Sequence, residues 1–136
     1  MEPVRGVRGE GLGASMNVAS YKDLKVWQIG MALTADVYQV AREFPKAETY
    51  GLCSQLQRAA VSIPSNIAEG HARDSTKEFL HPLSFALGSL AELETQILLA
   101  HQFGYLTAES KTLISVKTDE LGKMLRGLQK SLRAKL

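Results

Sequence analysis

The chain has one cysteine, Cys53, so no disulfide can close within it. It contains no run of eighteen apolar residues, so no membrane span is expected. Its N-terminus lacks the continuous apolar stretch of a secretory signal. Strict apolar–polar alternation and hairpin turns are missing throughout, which excludes strands. There is no Walker phosphate loop, dinucleotide fingerprint or nucleophile elbow, and nothing in the residues supports an enzyme. A single Glu-x-x-His spacing, Glu78 to His81, falls short of a metal site. Bundles that hold two metals use two such motifs and two further glutamates, and His71 and His101 have no partners at ligand spacing. No metal and no cofactor is expected. Cys53 lies on an apolar helix side beside Leu52 and Leu56, and reads as a small buried hydrophobe in a reducing cytoplasm.

What is present is helical periodicity. With 136 residues, 45% hydrophobic and 22% charged, the chain is one domain with one core. Residues 1–19 carry Gly6, Gly9, Gly11 and Gly13 without periodicity and are read as a flexible tail. The domain spans residues 20–136, and Met16 is a candidate natural start. A first helix is predicted from Lys22 to Glu43, ended by Phe44-Pro45. It bears two adjacent apolar stripes: Leu24, Trp27, Met31, Ala35 and Tyr38, then Val26, Ile29, Leu33, Val37 and Val40. That is more apolar surface than one bundle core covers, which points to a homo-oligomer. A second helix is predicted from Glu48 to Glu69. A third starts at a Ser75–Glu78 capping box and ends at Gly104. A fourth is capped by Thr107, with Leu113, Val116, Leu121, Met124, Leu125, Leu128 and Leu132 as its buried side. Four long helices with short links imply an all-α, up-down-up-down four-helix bundle.

Two constellations stand out. The net charge is only +2, but its distribution is uneven: from Lys111 onward seven basic residues face two acidic ones, whereas Tyr21 to Ser110 holds seven basic and ten acidic. Lys123, Arg126, Lys130 and Arg133 recur at spacings of three, four and three, on one face of the last helix. Such a stripe suits a phosphate backbone, and it equally suits a solvated helix face. Lys117, Lys22, Lys25 and Arg58 are candidate extensions. The aromatics fall mostly at core spacing; a base-stacking platform needs an exposed ring beside basic residues, and Tyr21 is the best candidate.

The second constellation is AAVSIPSNIAEG, Ala59 to Gly70. Pro64 sits inside an apolar helical pattern, where it removes a hydrogen bond to the Ala60 carbonyl and is expected to kink the helix. Ser62, Ser65, Asn66 and Glu69 surround it and are read as structural or interface residues that satisfy backbone groups the proline exposes. Gly70 is placed to end the helix in the left-handed conformation.

Six stretches in order carry a resemblance: YKDLKVWQ (Tyr21 to Gln28), FPKAETYGL (Phe44 to Leu52), SQLQRAAVSIPSNIAEG (Ser54 to Gly70), STKEFL (Ser75 to Leu80), ALGSLAELETQ (Ala86 to Gln96) and GYL (Gly104 to Leu106). The chain resembles the four-helix-bundle proteins named after intervening sequences in bacterial 23S rRNA genes, a group that includes accessory proteins of diversity-generating retroelements. The resemblance implies a bacterial cytoplasmic protein assembling as a ring, typically a homopentamer. For the retroelement members it implies binding of nucleic acid and of a reverse transcriptase through basic surface. Two functions are therefore carried forward. One is a non-enzymatic oligomeric accessory protein that binds structured RNA or DNA. The other is an oligomeric scaffold for a partner protein with no nucleic-acid role.

Overall fold

The computed structural model describes residues 19–136. Apart from Ala19, the tail expected over residues 1–19 lies outside the described residues, as does Met16. Four helices make up the described residues, with no strand among them: α1 Lys25–Val40, α2 Leu52–His71, α3 Thr76–Gln102 and α4 Ala108–Arg133. Single turns of tighter helix at Tyr21–Asp23, Ala41–Glu43 and Lys46–Glu48 lead into α1, extend it and precede α2. Cross-helix partners show that neighbours are antiparallel. Gly30 faces Pro64 while Thr34 reaches Ala60, and Ser62 bonds Ser89 while Gly70 lies on Phe79. Leu90 faces Gly122 while Ser84 meets Gln129, and Asp36 pairs with Lys117 while Glu43 holds Ser110. The last pair of elements closes α1 onto α4, completing a four-helix bundle.

The caps follow the sequence closely. The Ser75 hydroxyl accepts the Glu78 N–H at 3.1 Å, and the Glu78 carboxylate reaches back one residue further than in a strict capping box, to the Asp74 N–H at 3.2 Å. Thr107 accepts the Ser110 N–H at 3.1 Å. Gly104 ends α3 at φ 79°, a conformation glycine adopts without steric cost. The N-terminus of α2 is capped from outside the helix: the Glu48 carboxylate accepts the Leu52 N–H at 3.0 Å and the Tyr105 hydroxyl at 3.0 Å, tying the α1–α2 link to the α3–α4 link.

Pro64 does not interrupt α2, which is continuous from Leu52 to His71, and its ring is buried. The carbonyl it leaves without a helical donor, that of Ala60, receives the hydroxyl of Thr34 on α1 at 3.0 Å. Thr34 Oγ1 also lies 2.8 Å from the Gly30 carbonyl, which already takes the Thr34 N–H in the helix ladder. The repair therefore comes from across the helix pair, not from the local polar residues. Gly70 is inside α2 and buried, not left-handed. A Cβ there would stand 2.7 Å from Cδ1 of Phe79, so the residue is small because α3 crosses it closely.

The core contains Leu33, Leu56, Ile63, Ile67, Leu83, Leu93, Ile97, Leu121, Leu125 and Leu128, all essentially inaccessible. Each contributes about 1.5–3 kcal/mol by leaving water. Leu113 and Val116, expected on the buried side of the last helix, face out, as do Leu98 and Phe85 on α3 and Met31 and Tyr38 on α1. On α4 the inward line runs Ile114, Thr118, Leu121, Leu125, and the buried Thr118 hydroxyl donates to the Ser115 carbonyl at 3.0 Å. A polar residue thus occupies the core line, and Leu113 and Val116 lie outside it. By length and composition α3 is apolar enough to cross a membrane, with a mean hydropathy of 1.2 over its most apolar window. In the bundle that composition belongs to the helix packed between α2 and α4.

Replacing Thr34 by valine keeps the shape and removes the donor to Ala60. Chemical denaturation is expected to show a loss of about 1–2 kcal/mol, with Thr34→Ser close to the parent. The Tyr105 hydroxyl is held above its usual range, first by its hydrogen bond to the Glu48 carboxylate, then by burial and by that group's charge. A raised acid pKa means the folded state keeps a proton the unfolded state releases. Stability from this group is therefore intact below the ordinary tyrosine range and is lost as pH rises through it. Unfolding midpoints followed from neutral pH to about pH 11 should fall less steeply for Tyr105→Phe than for the parent.

Candidate nucleic-acid interface

The α4 sequence places its basic residues opposite Leu121, Leu125, Leu128 and Leu132, and the structure keeps Lys123, Arg126, Lys130 and Arg133 exposed on that outer face. Among the described residues no carboxylate lies within ion-pairing distance of any of the four. The stripe begins in a recess of about 100 Å³ lined by Leu90, Glu94, Thr118, Asp119 and Gly122, where the Arg126 guanidinium folds back over Gly122.

Lys117 does not join them. It reaches around α4 to the Asp36 carboxylate of α1 and is two-thirds buried, so its charge is spent inside the molecule. Arg58 is exposed on α2 but lines a different groove, of about 470 Å³, with Tyr38, Ser54 and Gln57. Lys22 and Lys25 are exposed at the start of α1. Antiparallel packing brings that start to the same end as the last turns of α4. Arg73 and Lys77, at the α2–α3 link, lie at this end as well.

The bundle is consequently polar in charge. The half holding the α4 stripe contains nine basic residues (Lys22, Lys25, Arg73, Lys77, Lys123, Arg126, Lys130, Arg133 and Lys135) against Asp23, Glu69, Asp74 and Glu78. The opposite half holds five basic and eight acidic residues. Helix dipoles alternate in direction and largely cancel, so these side chains set the field at each end.

The polar residues around Pro64 are separated by the fold. Ser62 shares a hydrogen bond of 2.8 Å with Ser89 on α3, and Asn66 Nδ2 donates to the Ser62 carbonyl and hydroxyl at 2.8 and 2.9 Å. This is a half-buried link between α2 and α3. Ser65 points outward and donates to the Val61 carbonyl. Glu69 pairs with Arg73 at 2.7 Å, on the surface one turn along. These residues make no single site.

The exposed apolar surface is elsewhere. Trp27 and Met31 of α1 and Val61 and Ala68 of α2 flank a groove of about 380 Å³ floored by Thr34 and Pro64. Its neighbour across Val61 is the Tyr38 groove. Of the two stripes on the first helix, Val26, Leu33, Val37 and Val40 fill the core; in the other, Leu24 is buried and Trp27 half-buried, while Met31, Ala35 and Tyr38 are exposed. Phe44 and Phe79 are in the core and Trp27 and Tyr105 pack against it, as their spacing implies, but the exposed aromatics are not the expected one. Tyr21 is half-buried edge-to-face against Trp27 at 5.3 Å, whereas Tyr50, Tyr38 and Phe85 are exposed. For Phe85 a signal existed: Phe79, Leu83, Ala86 and Leu90 define the inward line of α3, and position 85 falls outside it.

Residues 22–127 match the model of the 23S rRNA-intervening sequence protein family. The chain belongs to that family. Among solved structures it is similar to a protein of unknown function from the S23 ribosomal protein family of Bacteroides thetaiotaomicron VPI-5482. The two share 23% identity over 77% of this chain and 98% of that one, with a TM-score of 0.72. At that identity the likeness supports the fold alone. A comparison with curated proteins finds no match. Among the described residues no three His, Cys, Asp or Glu side chains gather in a way that could hold a metal. Burial, then the nearby Glu48 charge, pushes the Cys53 thiol up, against thiolate formation.

Proposed function

We propose that this family member is a non-enzymatic oligomeric accessory protein of the bacterial cytoplasm that binds structured RNA or DNA through its basic half. One observation carries the reading: four adjacent basic side chains on the exposed face of α4 have no acidic partner among the described residues, and the fold adds Lys22, Lys25 and Lys77 at the same end. Such a surface binds phosphates by releasing counterions, with little sequence preference. Several copies in a ring, the homopentamer that the sequence resemblance implies, would multiply a weak single-subunit affinity by avidity. The uncovered α1–α2 face around Met31 and Val61 suits the contact between copies.

The same apolar face supports the second reading, a scaffold whose groove holds a partner protein such as a reverse transcriptase. The two readings divide on the α4 stripe, which the scaffold does not need.

Changing Lys123, Arg126, Lys130 and Arg133 together to glutamine should leave folding intact, since all four are exposed and none makes an ion pair among the described residues. RNA affinity in about 50 mM salt should fall at least tenfold and the salt slope should flatten. Fluorescence anisotropy across a salt series measures both, and unchanged affinity in the folded variant favours the scaffold. Met31→Glu combined with Val61→Glu should yield folded monomers by native mass spectrometry. Retention of the parent mass would place the contact between copies on another face.

A further inference from the structure

We infer that the exposed ring of Phe85, with His81 set against it, is a stacking platform for an unpaired base of a single-stranded nucleic acid whose phosphates follow the α4 stripe. The inference rests on the nucleic-acid reading above and names its substrate class. Phe85 is 55% exposed, on the helix that among the described residues is long and apolar enough to cross a membrane. The other exposed aromatics, Tyr38, Tyr50 and Phe103, lie in the acidic half of the bundle. Trp27 and Tyr21, in the basic half, are half-buried against each other. Among the described residues, Phe85 is therefore the aromatic that combines exposure with the basic end.

Its level along the bundle is set by its neighbour. The Ser84 hydroxyl accepts Gln129 Nε2 at 3.3 Å, and Gln129 lies between Arg126, Lys130 and Arg133 in the α4 sequence. The ring is thus level with the middle of the stripe, on the outer side of α3 that it shares with Ser89, and a single strand following the stripe crosses the outer face of α3 to reach it. His81 meets Phe85 in an edge-to-face arrangement, centroids 4.8 Å apart and planes at 74°, which restrains the ring before any ligand arrives. Lys77 stands one turn before His81 on the same helix face and adds a further positive charge. Base–aromatic stacking needs an unpaired base, since a duplex buries the faces of its bases against each other. A basic stripe alone would accept either form; the ring selects the unpaired one.

The test compares a fluorescent single-stranded RNA with a hairpin duplex of equal length, across a salt series, for the full chain and for Phe85→Ala. The variant should bind the single strand about tenfold more weakly, with an unchanged salt slope and unchanged duplex affinity. Phe85→Trp should restore the strand. A 2-aminopurine base in the strand should be quenched by the parent and not by Phe85→Ala. Equal binding of parent and alanine variant, or equal weakening toward strand and duplex, overturns the platform. A changed native mass for Phe85→Ala also overturns it, because the ring then belongs to a contact between copies. Failure of the parent to bind either RNA at low salt overturns the nucleic-acid reading itself, and the platform with it.

Discussion

The hydrogen bond from Thr34 to the Ala60 carbonyl is the constraint on which the rest of the arrangement turns. A proline in the middle of a buried helix leaves one carbonyl without a donor, and an unsatisfied group in that position costs about 1–3 kcal/mol. Thr34 supplies the donor from the neighbouring helix, and Gly30, one turn before it, lets Pro64 pack closely against α1. This sets both the rotation and the height of α1 on α2. The rotation turns Val26, Leu33 and Val37 inward and leaves Met31 and Tyr38 outside. The height brings Asp36 level with Lys117 and Glu43 level with the first turn of α4. A local defect in α2 is thereby converted into the register of the whole bundle.

That register also decides the distribution of charge. The basic residues of α4 are contiguous in sequence, but Lys22, Lys25 and Lys77 come from distant segments and meet them only because alternate helices start and finish at the same end. The same packing removes Lys117 by pairing it with Asp36. A nearly neutral chain thus becomes a molecule with one basic and one acidic half, a form suited to drawing in a polyanion from one direction.

The apolar and basic surfaces occupy different helix pairs. The groove at Met31 and Val61 lies over α1 and α2, whereas the stripe and Phe85 lie over α3 and α4. Under the proposed reading, assembly through the first leaves the second available.

Much of this was legible in the chain. Periodicities of three and four, the Ser75, Thr107 and Gly104 boundary residues and the link at Phe44-Pro45 determine four helices, because helix formation and termination are local. The α4 stripe was legible for the same reason: spacing along one helix fixes which residues share a face. Relations between helices were not. Thr34 carries no sequence signal as a partner of Pro64, Gly70 reads as a terminator until Phe79 is seen against it, and Tyr21 reads as exposed until Trp27 is seen against it. Each depends on which face of one helix meets another. That choice is made by the sum of many small packing and hydrogen-bond energies across the bundle, and it is settled only in the tertiary structure.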